Sequence, residues 1–148
     1  MTPSDAFAAI ALAAVACDGR VDPHEAAMLR DQLEGRHPYR ECSEESMGLL
    51  FEGLLEQLHA EGWRALISQA IPVLTASQRE SALAMAAHLI HGDRNVNAEE
   101  IGLLAEMAVQ MNLSDGRAEQ ILDVIAVLHN DSLNPRADAR GSEAGRQT

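Results

Sequence analysis

Two segments of this chain, residues 13–33 and 86–107, repeat one pattern: an apolar run, an acidic turn and a second apolar run. Apolar residues at helical spacing on both sides of each turn indicate two helix–turn–helix units. The repetition therefore predicts an all-α domain in which the two units have a pseudo-twofold arrangement. A shift of 75 positions places Asp18 on Asp93, Val21 on Val96, Asp22 on Asn97, Glu25 on Glu100 and Leu29 on Leu104.

The rest of the chain also predicts helices, about seven in all, and no convincing strand. Hydrophobic residues make up 47% of the chain and aromatic residues only 3%, a composition rich in helix formers and poor in strand formers. Short connections between most neighbours predict that the helices pack as an antiparallel bundle. The expected helix starts are Ser4 or Asp5, Asp22, Ser43, the segment after Gly62, Thr75, Asn97, and Ser114 or Asp115.

Residues 1–130 are predicted to form this single helical domain. The remaining residues, 131–148, contain almost no apolar side chain and are expected to form a disordered tail. A chain of 148 residues is long enough to bury a core without a disulfide or a metal as a staple.

The charge balance limits the classes of partner. The chain has 23 acidic residues against 11 basic ones, all arginine, for a net charge of −12. Such a surface repels phosphate backbones, so nucleic acid is not an expected ligand. The same surface suits cations or a basic protein partner.

The cysteines and the apolar N-terminal run predict a location. Cys17 and Cys42 fit no metal-binding or disulfide pattern, so we expect free, mostly buried thiols in a reducing compartment. The apolar run from Ala6 to Cys17 is too short to span a bilayer, and no basic residue precedes it as a signal peptide would require. The expectation is a cytoplasmic protein that does not span a membrane, with lipid attachment at Cys17 as the alternative.

The repeated acids are the first candidate for a ligand site. Each turn brings three oxygen-bearing side chains close together, and hard cations such as Ca²⁺ and Mg²⁺ bind several oxygens at once. The alternative is structural, because a residue before a helix and a Glu three positions later form a capping box. Asp18 and Asp93 precede the two capping boxes, and each follows the C-terminus of a predicted helix. A negative charge there is disfavoured without a cation or an arginine nearby. The candidate metal residues are Asp18, Asp22, Glu25, Asp93, Asn97 and Glu100.

A second, less favoured metal site involves histidines. His88 and His91 lie three positions apart on a predicted helix, and Asp93 follows, so this set could hold Zn²⁺. The alternative is that the two imidazoles share a helix face and form ordinary hydrogen bonds. His37, His59 and His129 receive no role from the sequence.

Sequence motifs for catalysis are missing. The chain has no nucleophile elbow, phosphate-binding loop, dinucleotide fingerprint or His-Glu-x-x-His sequence. We therefore predict a protein that is not an enzyme, the alternative being chemistry at His88, His91 and Asp93. Among the aromatic residues, Trp63 is expected in the core and Tyr39 is expected to be exposed for a partner.

Residues 14–25, AVACDGRVDPHE, resemble the A-x-x-A-D-G-x-[VIL]-[DST]-x-x-E signature of TerB-like domains. The second copy keeps Asp93, Val96 and Glu100, but it has Arg94 where the family usually has Gly, and Asn97 where Asp, Ser or Thr is common. The resemblance extends from about Asp5 to Asn130. It implies an all-helical domain of the bacterial stress response, associated with resistance to tellurite and other toxic agents.

The same resemblance also implies partner proteins at the inner face of the membrane and acidic turns that act as metal sites. A related domain occurs in a membrane-anchored DnaJ-type co-chaperone. Together, these features predict a non-enzymatic domain whose acidic turns bind a divalent cation (Ca²⁺, Mg²⁺ or Zn²⁺) and couple it to partner docking. The alternative is a metal-independent interaction module that uses its acidic face.

Overall fold

The computed structural model of the protein describes residues 1–16, 21–92 and 96–130. These ranges are helical and contain no strand. The six α-helices are α1 (Pro3–Val15), α2 (Pro23–Glu34), α3 (Glu44–Ala70), α4 (Ala76–His91), α5 (Ala98–Met111) and α6 (Arg117–Leu128), with short 3₁₀ helices at Tyr39–Glu41 and Ile71–Val73. The all-α prediction is confirmed. The predicted tail, residues 131–148, lies outside the described residues.

Polar residues cap most of the helices at their N-termini, as the sequence predicts. Four predicted starts are confirmed, because the caps of α2, α3, α4 and α5 are Asp22, Ser43, Thr75 and Asn97. The first start differs: Thr2 is the cap of α1, and Asp5 closes the box as the third helical residue. The last helix begins at Arg117, after Gly116 has taken a left-handed conformation at φ +76°.

Helix α3 accounts for the difference between six helices and the seven predicted. Its backbone leaves helical geometry only at Gly62, with φ 88° and ψ 165°, so the third and fourth predicted helices are two arms of one element. The side-chain amide of Gln57 donates a hydrogen bond to Gln69. Twelve residues of straight helix span about 18 Å, too far for that bond. The chain therefore turns back sharply at Gly62.

Helix α1 is the centre of the core. Every residue from Ala6 to Ala16 is buried or nearly so, and α1 packs against both α3 and α4. Most of these residues are alanines, whose small side chains let neighbouring helices approach closely. Most of the larger core side chains come from the surrounding helices, among them Leu33, Leu66 and Met107.

Helices α1 and α4 run side by side in the same direction. Their first turns, with Ser4 and Ser77, line one cavity, and the segment that follows α2 reaches that cavity at Arg36. At the other end, Met28 of α2 packs against Gly92, directly after α4. Helices α1 and α4 therefore both end on the side away from this cavity.

No helix in the described part of the chain has both the length and the apolar character needed to cross a membrane.

Candidate functional site

The first pair of predicted ligands forms a capping box at the start of α2. The Glu25 backbone N–H donates to Asp22 Oδ1 at 2.8 Å, and the Asp22 N–H donates to Glu25 Oε1 at 3.4 Å. Pro23 occupies the first helical position, where the missing N–H costs nothing. Both side chains thus satisfy backbone donors that a helix start leaves open. The capping role that the sequence offered as the alternative to metal binding is therefore present at Asp22 and Glu25.

The second pair repeats this geometry at the start of α5. The Glu100 N–H donates to Asn97 Oδ1 at 2.8 Å, and the Asn97 N–H donates to Glu100 Oε1 at 3.1 Å. The two boxes differ in burial, since Glu100 is only 6% exposed whereas Glu25 is half-buried. Among the described residues, Glu100 is the single charged side chain that is buried. The helix N-terminus offers that carboxylate a favourable field.

Asp18 and Asp93, the other predicted ligands, lie outside the described residues. The structure does describe the helix ends on either side of them. A Cβ placed on Gly92 would lie 2.8 Å from Met28 Sδ, so the end of α4 directly contacts α2. Asp22 lies six residues before Met28 and Asn97 lies five residues after Gly92. We call the two capping boxes, Asp22, Glu25, Asn97 and Glu100, the acidic end.

The histidine pair of α4 contacts a third histidine that sequence reasoning missed. His88 Nδ1 lies 2.9 Å from His129 Nε2, and the His91 ring stacks on the His129 ring with centroids 5.8 Å apart. One facing nitrogen must donate and the other must accept, so at least one of these imidazoles is neutral in this arrangement. His129 follows α6, 41 residues from His88, and no local sequence pattern could indicate this contact.

Within residues 1–16, 21–92 and 96–130, no group of three or more His, Cys, Asp or Glu side chains has the arrangement of a metal site. Those predicted metal ligands that the structure describes form helix caps and contacts between imidazole rings. The cation hypothesis of the sequence stays a prediction.

Two expectations about single residues are wrong. Tyr39 is buried, with 4% exposure, because the 3₁₀ turn directs its ring against Phe7 and its hydroxyl donates to the Ser4 carbonyl. Burial, together with the nearby Asp5 carboxylate, raises the pKa of Tyr39 to about 12. Cys42 is a free thiol as expected, but it is exposed, because it follows that 3₁₀ turn on the surface.

Trp63 is half-buried at the edge of the core, and the Arg64 guanidinium lies 4.4 Å from its ring centroid.

An apolar cavity of about 360 Å³ lies beside the first capping box. It is formed between α1, α2 and α3, and its walls include Leu12, Val21, Leu29 and Phe51. Arg30 lies at this cavity, with its guanidinium 5.8 Å from the Phe51 ring centroid and bonded to Glu34. The acidic end thus combines carboxylates with an adjacent apolar hollow.

Comparison with protein families, with curated proteins and with solved structures gives no match to this chain.

Proposed function

We propose that this protein is a non-enzymatic, cytoplasmic domain of the TerB-like, stress-response type that docks a partner protein at its acidic end. In this proposal the two acidic turns form a pseudo-repeat and bind a divalent cation, and the cation strengthens docking. The proposal is based on the repeated acidic turns of the sequence and on the resemblance of residues 14–25 to the signature of TerB-like domains.

One structural observation supports the proposal: the end of α4, which precedes the second acidic turn in the chain, contacts α2, which follows the first. Helices α1 and α4 run in the same direction, and Met28 contacts Gly92 where α4 ends. If the two acidic turns lay at opposite ends, each would offer only three ligand side chains. Three ligands fill only part of the coordination shell of a hard cation, so each site would be weak. Sets at a common end are able to share one ion.

The cavity beside Asp22 supports docking of a protein rather than a cation alone. Its walls are mainly aliphatic and aromatic, and a volume of about 360 Å³ accommodates one or two apolar side chains. A partner segment that carries arginine or lysine next to a bulky apolar residue would match both features. Its basic groups would meet the acidic end, and its apolar residue would enter the cavity.

The capping geometry favours a second candidate, in which the acidic end docks the same basic partner without a metal. Asp22, Glu25, Asn97 and Glu100 all serve the backbone of their helices, and this role explains them without an ion. The two candidates make different predictions about the effect of a cation on binding.

Thermal unfolding of the full chain, stripped with EDTA, tests the cation. The protein is compared alone and with Ca²⁺, Mg²⁺ or Zn²⁺, and the series is repeated on Asp18→Asn/Asp93→Asn. An ion at 100 times its dissociation constant adds about 2.7 kcal/mol to the free energy of unfolding. The proposal expects a shift with one ion that the double variant loses. No shift with any of the three ions would reject cation binding.

Binding of a synthetic peptide that contains arginine next to leucine then distinguishes cation-coupled docking from metal-independent docking. Cation-coupled docking expects tighter peptide binding in the presence of the effective ion. Metal-independent docking expects a salt-dependent affinity that no divalent ion increases. Asp22→Asn serves as the matched variant, because asparagine caps a helix as well as aspartate does and removes only the charge. A peptide affinity that neither salt nor Asp22→Asn changes would reject both candidates.

A further inference from the structure

A second cavity, of about 410 Å³, lies at the opposite end of α1 from the acidic end. It is bounded by the first turns of α1 and α4 and by residues 36–39. Its volume falls within the range of about 300–1,000 Å³ that small-molecule sites occupy.

The charge at this cavity has the opposite sign to that of the chain. Although the protein has 23 acidic residues, none of the side chains that line the cavity is Asp or Glu. His37 is paired with Glu41, whose Oε1 lies 2.6 Å from its Nδ1. Tyr39 stays neutral up to high pH, since its pKa is about 12, and its hydroxyl is already bonded to Ser4. Arg36 is therefore the one unneutralised charge of the lining.

Arg36 differs from the other arginines that the structure describes. Those five each donate a hydrogen bond to a carboxylate or a backbone carbonyl, namely Arg30 to Glu34, Arg40 to Glu41, Arg64 to Glu106, Arg79 to Leu74 and Met111, and Arg117 to Glu80. Arg36 has no such acceptor within the described ranges. Its guanidinium instead lies 5.2 Å from the centroid of the Phe7 ring, a cation–π contact. That contact leaves the in-plane N–H donors available to a planar anion.

The remaining lining provides an apolar wall and a few hydroxyls. Phe7, Leu74 and Pro38 offer apolar surface, and Ser77 and Ser81 offer hydroxyl groups from the first turns of α4. A carboxylate with an aromatic or branched apolar body matches this arrangement. Its carboxylate would meet Arg36, and its body would lie against Phe7 and Leu74.

We infer that the cavity bounded by Phe7, Arg36, Leu74 and Ser77 binds a small organic carboxylate with an apolar body. Arg36 recognises the anion, and the apolar wall distinguishes it from acetate or inorganic anions. This site is separate from the acidic end, so it stands or falls independently of the proposed function.

The test is an NMR titration of the ¹⁵N-labelled full chain with benzoate. Benzyl alcohol, of similar size and uncharged, tests the role of charge, and acetate tests the role of the apolar body. The inference expects saturable shifts for amides in residues 3–7, 36–39 and 77–81, with affinities for benzyl alcohol and acetate at least tenfold weaker. Equal affinities for benzoate and benzyl alcohol, or no saturable shift at these residues, would overturn it.

Variants assign the effect to Arg36. Arg36→Gln should weaken benzoate binding at least tenfold, whereas Arg64→Gln, an exposed arginine elsewhere, should leave it unchanged. Ser77→Glu provides an independent test, since it places a carboxylate at the cavity, and the first turn of a helix tolerates glutamate well. It should abolish binding in a chain that keeps its fold. Unchanged affinity in either Arg36→Gln or Ser77→Glu would overturn the inference.

Discussion

Alanine substitutions at three glycines of α3 should change the free energy of unfolding in two directions. Gly62→Ala should lower it, and Gly48→Ala and Gly53→Ala should raise it. Gly62 lies at φ 88° and ψ 165°, a conformation that L-residues rarely adopt, and a Cβ placed there would meet no atom within 4 Å. The cost of Gly62→Ala is therefore conformational, about 1–3 kcal/mol. Gly48 and Gly53 lie in the helical part of α3, where an added Cβ also meets nothing within 4 Å. Alanine there should stabilise the protein by about 0.5–1 kcal/mol each.

Thermal unfolding measures the difference directly. One kcal/mol corresponds to about 4 °C in a domain of this size. Gly62→Ala should therefore lower Tm by about 4–12 °C, and Gly53→Ala should raise it by about 2–4 °C. Urea unfolding with an unchanged slope would show that each substitution changes the free energy of unfolding and not the surface exposed on unfolding. If Gly62→Ala were as stable as Gly53→Ala, α3 would continue through residue 62 and the reasoning about the chain reversal would be wrong.

Three further predictions concern single contacts. Gly92→Ala should cost about 1 kcal/mol or less, because the added Cβ would lie 2.8 Å from Met28 Sδ and this flexible thioether can move aside. In a double-mutant cycle with Met28→Ala the two effects should be non-additive, and strict additivity would argue against the contact. Burial and Asp5 raise the pKa of Tyr39 from 10 to about 12, so the stability linked to its neutral form is complete below pH 10 and is lost as pH rises to 12, by about 2–3 kcal/mol. Tyr39→Phe should remove this alkaline dependence in pH-resolved urea unfolding, and a profile like that of the parent chain would refute the assignment. Asp22→Ala and Thr75→Ala should each lower the free energy of unfolding by about 1 kcal/mol, because each removes a helix cap. Asp22→Asn keeps the cap and should change the free energy of unfolding by only about a few tenths of a kcal/mol. Equal losses for both Asp22 variants in thermal unfolding would show that the charge of Asp22 matters more than its capping role.

The features that the sequence predicted well are local ones. The starts of α2 and α5 follow from a cap residue and a Glu three positions later, and both boxes form as expected. The break at Gly62 was also predicted, although the arms on either side count as one helix. These features depend on residues within one or two turns, so local spacing is sufficient to find them.

Features that depend on contacts between distant segments were missed. The hydrogen bond between His88 and His129 joins residues 41 positions apart, and the burial of Tyr39 depends on Ser4, 35 positions away. The cavity at Arg36 likewise forms only because α1, α4 and residues 36–39 meet there. Local composition could not reveal any of these, since each requires the relative placement of helices.

The stoichiometry of cation binding tests the central claim most directly. Isothermal titration calorimetry of the EDTA-stripped chain with Ca²⁺, Mg²⁺ or Zn²⁺ should give one ion per chain, because we propose that the two acidic turns share one ion. Either single variant, Asp18→Asn or Asp93→Asn, should then weaken that one site, and Thr75→Ala should not affect it. Two independent sites, or no binding of any of the three ions, would contradict the account.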